Sequence, residues 1–351
     1  MRSLNSRVIS YLRFPLCVAV VLIHININTK DCESPLLFNN ISYLFSQILP
    51  RVAVPLFFVF SGFLFFSKQD QFSLSDYREK LLKRVRTLLV PYLFWNVLLI
   101  IYSLLVPYLG LGRQNEDSND IMYFIKAFWN NSYPNIIFDN GISSLPIAVQ
   151  FWYVRDLMVT CLLSPLLYLF VRRLKGYFVA MLGILWVSNC WFLITGLNIT
   201  ALFFFSLGAY CSIYRKNFAE ILKPHTLTLG FVYLLFIVLL LILKDPYWNP
   251  LRRIGVLIGM AFTISATAKL ISKDNCRMNK FLTESSFFIF AYHMLALNII
   301  ESIVSVSFCF DILCTILYFA KATFILLIGL VLYYILKKYL PVFTSLITGG
   351  R

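Results

Sequence analysis

Long apolar runs recur along this chain from one end to the other, and short polar connectors, most of them basic, separate them. Of the 351 residues, 60% are hydrophobic and only 13% are charged. One soluble core cannot hide this much apolar surface, and no polar block is large enough to form a soluble domain. The sequence therefore predicts an all-α integral membrane protein with one membrane domain over residues 1–351.

The apolar runs predict a single bundle of about ten transmembrane helices. An even number of spans places both termini on the same side of the membrane. Most of the 31 basic residues fall in connectors on the side of the N-terminus, and this bias predicts that both termini are cytoplasmic. The predicted helices cover residues 8–28, 41–66, 87–109, 147–171, 177–195, 198–214, 226–243, 254–272, 284–306 and 311–336.

The net charge of +15 and the eight cysteines exclude several classes of protein. The basic residues lie between spans and not on a soluble face interleaved with aromatics, so we expect no nucleic-acid partner. The cysteines form no Cys-x-x-Cys pair, which excludes a zinc ribbon or a redox motif, and we see no metal-ligand spacing. Cys32 and Cys309 fall in predicted outer connectors, where a disulfide between them is a hypothesis.

The first predicted span carries both an arginine and a histidine. Arg13 and His24 are eleven residues apart, so they share one helix face and lie about 16 Å apart along the axis. Asn28 extends the same polar stripe. A central arginine costs roughly 2.5–3.5 kcal/mol to insert, and such residues normally face a bundle interior or a water-filled cavity. The alternative to a functional pair is a snorkelling arginine with a hydrogen-bonded structural histidine.

A second polar set lies in the predicted helix 147–171, in "FWYVRDLMV". Trp152, Arg155 and Asp156 stand at i, i+3 and i+4 on one face, at a depth similar to that of His24. Because Arg155 and Asp156 are sequence neighbours, we expect them not to pair neatly and to find partners on other helices. A purely structural ion pair is the alternative.

The second predicted helix places Arg51 four residues before Pro55. A proline there frees a carbonyl and bends the helix, and such breaks are tolerated only where the released groups meet protein or water. Gly62 follows in "SGF", where close packing against another helix is its simplest role.

The remaining titratable groups of interest lie in the second half of the chain. Tyr292 and His293 fall inside the predicted helix 284–306, and a satisfied core histidine is the alternative to a site residue. His225 lies in a cytoplasmic connector and is expected to be solvated. Lys321 has no obvious partner in the sequence and receives no role.

Several blocks of this sequence, taken together, resemble the membrane acyltransferase 3 family. Its bacterial members O-acylate sugars of surface polysaccharides. The resemblance covers nearly the whole chain, and Arg13 and His24 match the Arg-x10-His spacing of the family's first helix. The blocks occur in family order: "LRFPLCVAVVLIH", "VAVPLFFVFSGFL", "KRVRTLLVPYLFW", "FWYVRDLMVTCLLSPLLY", "FFFSLGAYC" and "FFIFAYHML".

One block departs from the family pattern. Family members often carry Arg-x-x-Arg before the proline of the third helix, whereas here Thr87 stands three residues after Arg84 and Arg86 comes one position early. Arg86 then supplies the second cation from a shifted face, or the donor site differs in detail.

The resemblance implies acyl transfer from a thioester to a sugar hydroxyl. This chemistry needs a base, a donor of hydrogen bonds to the developing oxyanion, and cations for the coenzyme A phosphates. We predict His24 as the base. Arg13, Arg84 and Arg86, beside Lys83, are predicted to bind acyl-CoA at the cytoplasmic mouth.

The same chemistry assigns the other polar residues of the spans to the reaction chamber. Arg155 is predicted to stabilise the acyl carbonyl or an acidic acceptor, and Asp156 to orient a neighbouring group. Trp152, His293 and Arg51 are predicted to contact substrate.

The expected function is thus transfer of an acyl group, acetyl in our prediction, from acetyl-CoA or another acyl-CoA to a cell-surface or lipid-linked sugar. The expected location is the bacterial inner membrane among membrane lipids, with no metal. A transporter or flippase of a lipid-linked saccharide is the alternative, although we see no paired inverted halves, and a structural subunit is a third. The identity of the sugar, acetyl against succinyl, the side on which the acceptor reacts and the oligomeric state stay open.

Overall fold

The computed structural model describes residues 3–27, 36–67, 73–106, 108, 121–130, 137–138, 141–142, 145–192, 194–244, 250–273, 278–303 and 310–350. Over these ranges the fold is helical, which confirms the predicted all-α class. A two-stranded antiparallel pair, β1 (Ile137–Phe138) and β2 (Gly141–Ile142), is the exception in the described part of the chain.

Sixteen α-helices occur in the described part of the chain. The α-helices are α1 (Leu4–His24), α2 (Leu36–Ser42), α3 (Ala53–Phe66), α4 (Leu74–Arg84), α5 (Val90–Leu105), α6 (Ile121–Ala127), α7 (Trp152–Leu162), α8 (Ser164–Leu174), α9 (Gly176–Val187), α10 (Ile199–Ile213), α11 (Phe218–Leu222), α12 (Thr226–Leu243), α13 (Pro250–Ser272), α14 (Lys280–Ile303), α15 (Asp311–Tyr339) and α16 (Pro341–Thr348). π-helical segments cover Tyr43–Ile48 and Val85–Leu89, and 3-10 turns cover Leu49–Val52, Val149–Phe151 and Lys223–His225.

Length and apolar character support several membrane spans. Two shorter apolar helices, α9 and α10, fall below the length of a full span, and the pair Val149–Leu162 and Ser164–Leu174 would add one span if its two arms, bent by 67°, are counted together. The ten-helix count and the cytoplasmic termini stay predictions. Six stretches in the described part of the chain are long and apolar enough to cross a membrane: Leu4–His24, Leu36–Phe66, Leu74–Leu105, Phe218–Leu243, Pro250–Ser272 and Asp311–Tyr339.

Two prolines act differently from what the sequence suggests. The predicted helix 147–171 is broken after Leu162, because Pro165 opens a new helix, α8, in a different direction. Pro55 lies in the first turn of α3, where its missing N–H is not needed. The irregular backbone therefore lies upstream of Pro55, in the π and 3-10 segments 43–52 that contain Arg51.

Local hydrogen bonds fix where two of the helices begin. Ser73 and Asp76 form a reciprocal capping box at the start of α4. The carboxylate of Asp311, the first residue of α15, accepts hydrogen bonds from the backbone N–H groups of Leu37 (2.9 Å) and Phe38. These N–H groups have no partner within α2, so Asp311 satisfies them and ties α2 to α15.

The α3 and α10 helices pack with their backbones in close contact. A Cβ atom added at Gly62 would collide with the Phe205 carbonyl, and one added at Gly208 would collide with the Val59 carbonyl. Both obstacles are backbone atoms, which cannot rotate away. Gly62 thus has the packing role that its sequence suggested, with Gly208 as its counterpart.

The α1 helix lies inside the bundle. It packs against α3, α11, α13 and α14 and against the turn Leu49–Val52. Its buried side chains include Leu12, Leu16 and Val20, at i, i+4 and i+8. This central position puts both ends of α1 next to other helices.

We predict that Gly62→Ala and Gly208→Ala each destabilise the protein by about 1–3 kcal/mol or more, because overpacking a tight helix contact forces the backbones apart. Thermal unfolding of the purified protein, followed by tryptophan fluorescence, measures the effect. Gly255→Ala is the matched control. Its new Cβ would meet Leu240 and Phe236 at an ordinary 3.5 Å. We therefore expect this variant to be stabilised by roughly 0.5–1 kcal/mol, because alanine favours the helix over glycine. Equal effects at all three glycines would contradict the close contact.

Candidate active site

His24 is the last residue of α1, and it is partly buried. Its imidazole lies against that of His293 from α14, with ring centroids 5.3 Å apart and an angle of 41° between the ring planes. Two of the chain's three histidines, which are far apart in sequence, therefore meet at one point in the bundle. The third, His225, is exposed at the start of α12.

The hydrogen bonding of His293 fixes its tautomer. Its side chain is 0% exposed, and Nδ1 lies 2.7 Å from the Phe290 carbonyl oxygen. A carbonyl only accepts, so Nδ1 carries the hydrogen and the neutral ring keeps a lone pair on Nε2. Within the described residues, Nε2 is buried and has no hydrogen-bond partner. A fully satisfied core histidine would not leave this acceptor open.

A cation lies beside the two histidines. Arg51 interacts electrostatically with His24, and its guanidinium donates to the Gln47 side-chain carbonyl. Arg252, at the start of α13, donates to the Gln47 backbone carbonyl at 2.9 Å and to its side-chain oxygen at 3.3 Å. Gln47 thus joins two arginines through one neutral amide. The structure brings Arg51, His24 and His293 together, a grouping that the sequence does not show.

Arg13 lies on the same helix as His24, as predicted. The α1 helix is continuous from Leu4 to His24 despite Pro15, so the expected axial distance of about 16 Å holds. Arg13 is partly buried. Asn28, which would extend the polar stripe, lies outside the described residues.

The N-terminal end of α1 is anchored by polar side chains. The Asn5 amide donates to the Lys216 carbonyl (3.2 Å) and accepts from the Ala219 N–H (3.0 Å). Arg7 donates to the Ile271 carbonyl at 3.2 Å. These bonds connect α1 to α11 and α13 and fix the helix along its axis.

Arg84 and Arg86 lie at the junction of α4 and the π-helical segment Val85–Leu89. The Arg84 guanidinium is 5.8 Å from the centroid of the Phe65 ring, and Lys80 lies 5.2 Å from the same ring. Arg86 is exposed. The π-helical turn changes the angular offset between these two arginines from that of a regular helix. The face on which Arg86 lies therefore cannot be read from the sequence spacing alone.

The C-terminal helix α16 packs beside this basic region. The Trp95 indole N–H of α5 donates to the Ile347 carbonyl at 3.0 Å. Gly349 has a positive φ of 71°, and a Cβ added there would press on the Thr87 backbone. The sequence predicted no helix here, because the eight-residue α16 is too short to give a span signal.

Arg155 and Asp156 bond to each other, so the expectation that they would not pair is wrong. Nε and Nη2 of Arg155 both lie 2.9 Å from Oδ1 of Asp156, and the two side chains are 3% and 1% exposed. The long arginine side chain folds back on its own helix, which sequence adjacency does not prevent. Arg155 also donates to the Trp129 carbonyl at 2.6 Å and lies 5.6 Å from the Trp129 ring centroid.

These contacts connect the Arg155–Asp156 pair to the segment that follows α6. Tyr92 of α5 donates to the neighbouring Phe128 carbonyl. The route from this pair to the histidines runs through aromatic rings, since Tyr92 contacts Phe151, Phe151 contacts Phe290, and Phe290 contacts His293. An aromatic layer thus lies between the two polar sites.

Trp152 points toward α3, and a residue next to it was missed. The Trp152 and Phe58 ring centroids are 6.3 Å apart. Tyr153, which the sequence analysis passed over, packs on Phe58 at 4.7 Å and hydrogen-bonds Ser61 at 3.2 Å. The Phe290 ring contacts both Tyr153 and His293, so one aromatic ring separates Tyr153 from the histidine pair.

Lys321 has partners in the structure. Its ammonium donates to the Asn26 carbonyl at 3.0 Å and to Glu301 at 2.9 Å. Tyr318, one turn earlier on α15, donates to the Leu22 carbonyl at 2.9 Å. The i, i+3 spacing of Tyr318 and Lys321 in an apolar helix is the signal that sequence analysis could have used.

The described residues hold no cluster of three or more His, Cys, Asp or Glu side chains suited to a metal ion. Five cysteines are free thiols in this part of the chain: Cys17, Cys161, Cys190, Cys211 and Cys314. Cys32 and Cys309 lie outside the described residues, so the disulfide between them stays a prediction.

Comparison with known proteins identifies the family. The model of the acyltransferase 3 family, described as an acyltransferase domain, matches residues 7–338. The succinoglycan biosynthesis protein ExoH of Rhizobium meliloti (strain 1021) is 28% identical over 221 residues, which are 60% of this chain. The match spans about half, 54%, of that relative's length. No solved structure matches the chain. Since the family model covers nearly every residue from before Arg13 to the end of α15, the chain belongs to the acyltransferase 3 family.

Proposed function

We propose that the protein is a membrane O-acyltransferase that moves an acyl group, acetyl in our prediction, from cytoplasmic acyl-CoA to a hydroxyl of a cell-surface or lipid-linked sugar. The observation that carries this proposal is the contact between the His24 and His293 rings beside Arg51, with the Nε2 acceptor of His293 left open. Family membership supports acyl transfer over the transport alternative. The relative's name, which refers to succinoglycan biosynthesis, supports a polysaccharide acceptor.

In the proposed reaction, His24 is the general base. It takes the proton from the acceptor hydroxyl while the hydroxyl oxygen attacks the thioester carbonyl carbon. The carbon–sulfur bond then breaks, and coenzyme A leaves as a thiolate that the histidine proton neutralises. His24 ends the cycle neutral and ready for the next acceptor.

His293 and Arg51 are proposed to contact the substrates. With Nδ1 bound to the Phe290 carbonyl, His293 offers Nε2 as an acceptor for a second sugar hydroxyl. Arg51 provides positive charge beside the reacting centre, where negative charge develops on the carbonyl oxygen. Neither role requires His293 to change its tautomer.

The donor is proposed to bind Arg13, Arg84 and Arg86, which we predict to lie together at the cytoplasmic end of the bundle. Guanidinium groups bind phosphates through paired, charge-assisted hydrogen bonds. The α1 helix leads from Arg13 to His24 over about 16 Å, so an extended thioester arm bound near Arg13 would present its acyl group toward the histidine pair. Localisation in a bacterial inner membrane is part of the same proposal.

For Arg155 and Asp156, the contacts favour an anchoring role over the catalytic role that we predicted from the sequence. Their charges neutralise each other, and Nη1 of Arg155 donates to the Trp129 carbonyl. Trp152, on the same helix, remains a proposed contact for the sugar ring.

The central test measures release of coenzyme A with a thiol reagent. Purified protein in nanodiscs receives acetyl-CoA or succinyl-CoA, with succinoglycan as the acceptor probe. We expect acceptor-dependent thiol release together with acylated polysaccharide by mass spectrometry. Thioester consumption that does not depend on any supplied saccharide, with no acylated product, would count against the proposal.

We predict that His24→Ala and His24→Gln lower kcat by about 100-fold or more, the usual contribution of a general base. The thermal unfolding midpoint should stay near that of the unmodified protein, since His24 is partly exposed. The matched control is His225→Gln, which changes an exposed histidine and should leave turnover unchanged. Near-normal turnover of the His24 variants would remove this residue from the mechanism.

We predict that Arg84→Gln and Arg86→Gln raise the KM for acyl-CoA by about tenfold each, which corresponds to the loss of one charge-assisted contact. The KM for the acceptor should change much less. Arg173→Gln, at an exposed arginine near the end of α8, serves as the control for lost surface charge. A rise confined to the acceptor KM would refute the donor assignment.

We predict that Asp156→Asn destabilises the protein by about 3–5 kcal/mol, because it leaves a buried guanidinium without its counter-charge. Arg155→Lys keeps the charge but loses the planar fork that reaches both Asp156 and Trp129, and its activity should fall only as far as its stability. Unfolding midpoints and turnover measured on the same samples distinguish the anchoring role from the catalytic role. A stable Arg155→Lys protein without activity would restore the catalytic assignment.

A further inference from the structure

The C-terminal end of α1 needs hydrogen-bond donors from outside the helix. The last four carbonyls of an α-helix have no partner within the helix, and in an apolar bundle they lack water as well. In α1 this last turn includes Leu22 and ends at His24. Whatever satisfies these carbonyls also determines where the His24 imidazole lies.

Two hydroxyl groups converge on one of these carbonyls. Tyr318 of α15 donates to the Leu22 carbonyl at 2.9 Å, and Ser46 of the π-helical segment approaches the same oxygen at 3.1 Å. The two hydroxyls are also 2.8 Å apart. Tyr318 is 0% exposed and Ser46 is 7% exposed, so this network is closed to solvent.

One cation continues the network beyond the helix end. Lys321 donates to the Asn26 carbonyl, two residues past His24, at 3.0 Å. A positive charge at a helix C-terminus is favourable, because the unpaired carbonyls carry partial negative charge. Lys321 is 13% exposed, whereas Glu301, its partner at 2.9 Å, is 50% exposed.

The same support reaches the second histidine. Glu301 and His293 both belong to α14, so the Lys321–Glu301 ion pair links the end of α1 to the helix that carries His293. The α15 helix thus holds α1 through Tyr318 and Lys321 and holds α14 through Glu301. A shift of this helix would change the 5.3 Å separation of the two imidazoles.

We propose that Lys321 and Tyr318 are positioning residues that hold the last turn of α1 and thereby set the placement of His24 against His293 for catalysis. This inference rests on the proposed function. Neither residue touches the reacting atoms. Their effect passes through the Leu22 and Asn26 carbonyls to the imidazole of His24.

The experiment compares Lys321→Met with Lys337→Met. Lys337 lies on the same helix and pairs with Glu284 of α14, so it makes the same kind of α14–α15 ion pair but has no hydrogen bond to α1 in the described structure. Lys321→Met should lower kcat by about tenfold to a hundredfold, the size of effect that a small misplacement of a catalytic group produces. The KM for acyl-CoA should not change. Lys337→Met should leave both constants unchanged.

A chemical readout makes the test independent of acyl transfer. Diethylpyrocarbonate modifies accessible imidazoles, and peptide mass spectrometry gives a separate rate for each histidine. We expect Lys321→Met to accelerate the modification of His24 relative to exposed His225, which serves as the internal reference. Lys321→Arg keeps the cation and the donors, so it should restore most of the turnover and the slow modification rate.

Tyr318→Phe covers the case in which Lys321→Met fails to fold. It removes one hydroxyl and should show the same selective loss of kcat and the same faster modification of His24. Lys321 and Tyr318 variants that match Lys337→Met in kcat and in the His24 modification rate would overturn the inference. If the unmodified protein releases no coenzyme A, the proposed function fails, and the modification rates alone then support or overturn the placement of His24.

Discussion

A polar group inside an apolar bundle has no water to bond, so each one needs a partner from the protein or from a ligand. Most polar groups described here follow this rule. The Leu22 carbonyl accepts hydrogen bonds from Tyr318 and Ser46. His293 follows it at one ring nitrogen only, because Nδ1 is bound to a carbonyl and the buried Nε2 is not bound to any described residue. That open acceptor beside His24 is the observation that supports our proposal of a reactive site over a structural pair of histidines.

The same constraint separates the two buried charged sites. Arg155 and Asp156 neutralise each other, and Nη1 of Arg155 donates to the Trp129 carbonyl. The pair thus holds the N-terminal part of α7 against the segment after α6. The aromatic rings of Phe151 and Phe290 lie between the Arg155–Asp156 pair and the histidines. The charge beside His24 comes instead from Arg51, at a point where the backbone leaves the regular α-helix. Irregular helical turns at a site agree with the frequent use of π and 3-10 segments in functional regions.

The α1 helix connects the two ends of the proposed reaction path. Its N-terminal end is fixed by Asn5 and Arg7, and its C-terminal end is fixed through Leu22. A helix held at both ends keeps a constant distance between Arg13 and His24. A thioester donor and a sugar acceptor that approach from opposite sides need such a constant distance, since the reacting atoms must meet within bonding range.

The sequence by itself determined the helical membrane class, the family and the alignment of Arg13 with His24, because these follow from composition, from motif order and from the geometry of one helix. It also indicated the packing role of Gly62. Only the tertiary structure decided that His293, Arg51 and Lys321 converge on the end of α1, that Arg155 pairs with its own neighbour, and that the long predicted helix around Trp152 ends at Leu162. Such contacts depend on how helices rotate and tilt against one another. That arrangement comes from side-chain packing along the whole bundle, including the tight contact of Gly62 and Gly208, and the periodicity of a single helix does not specify it.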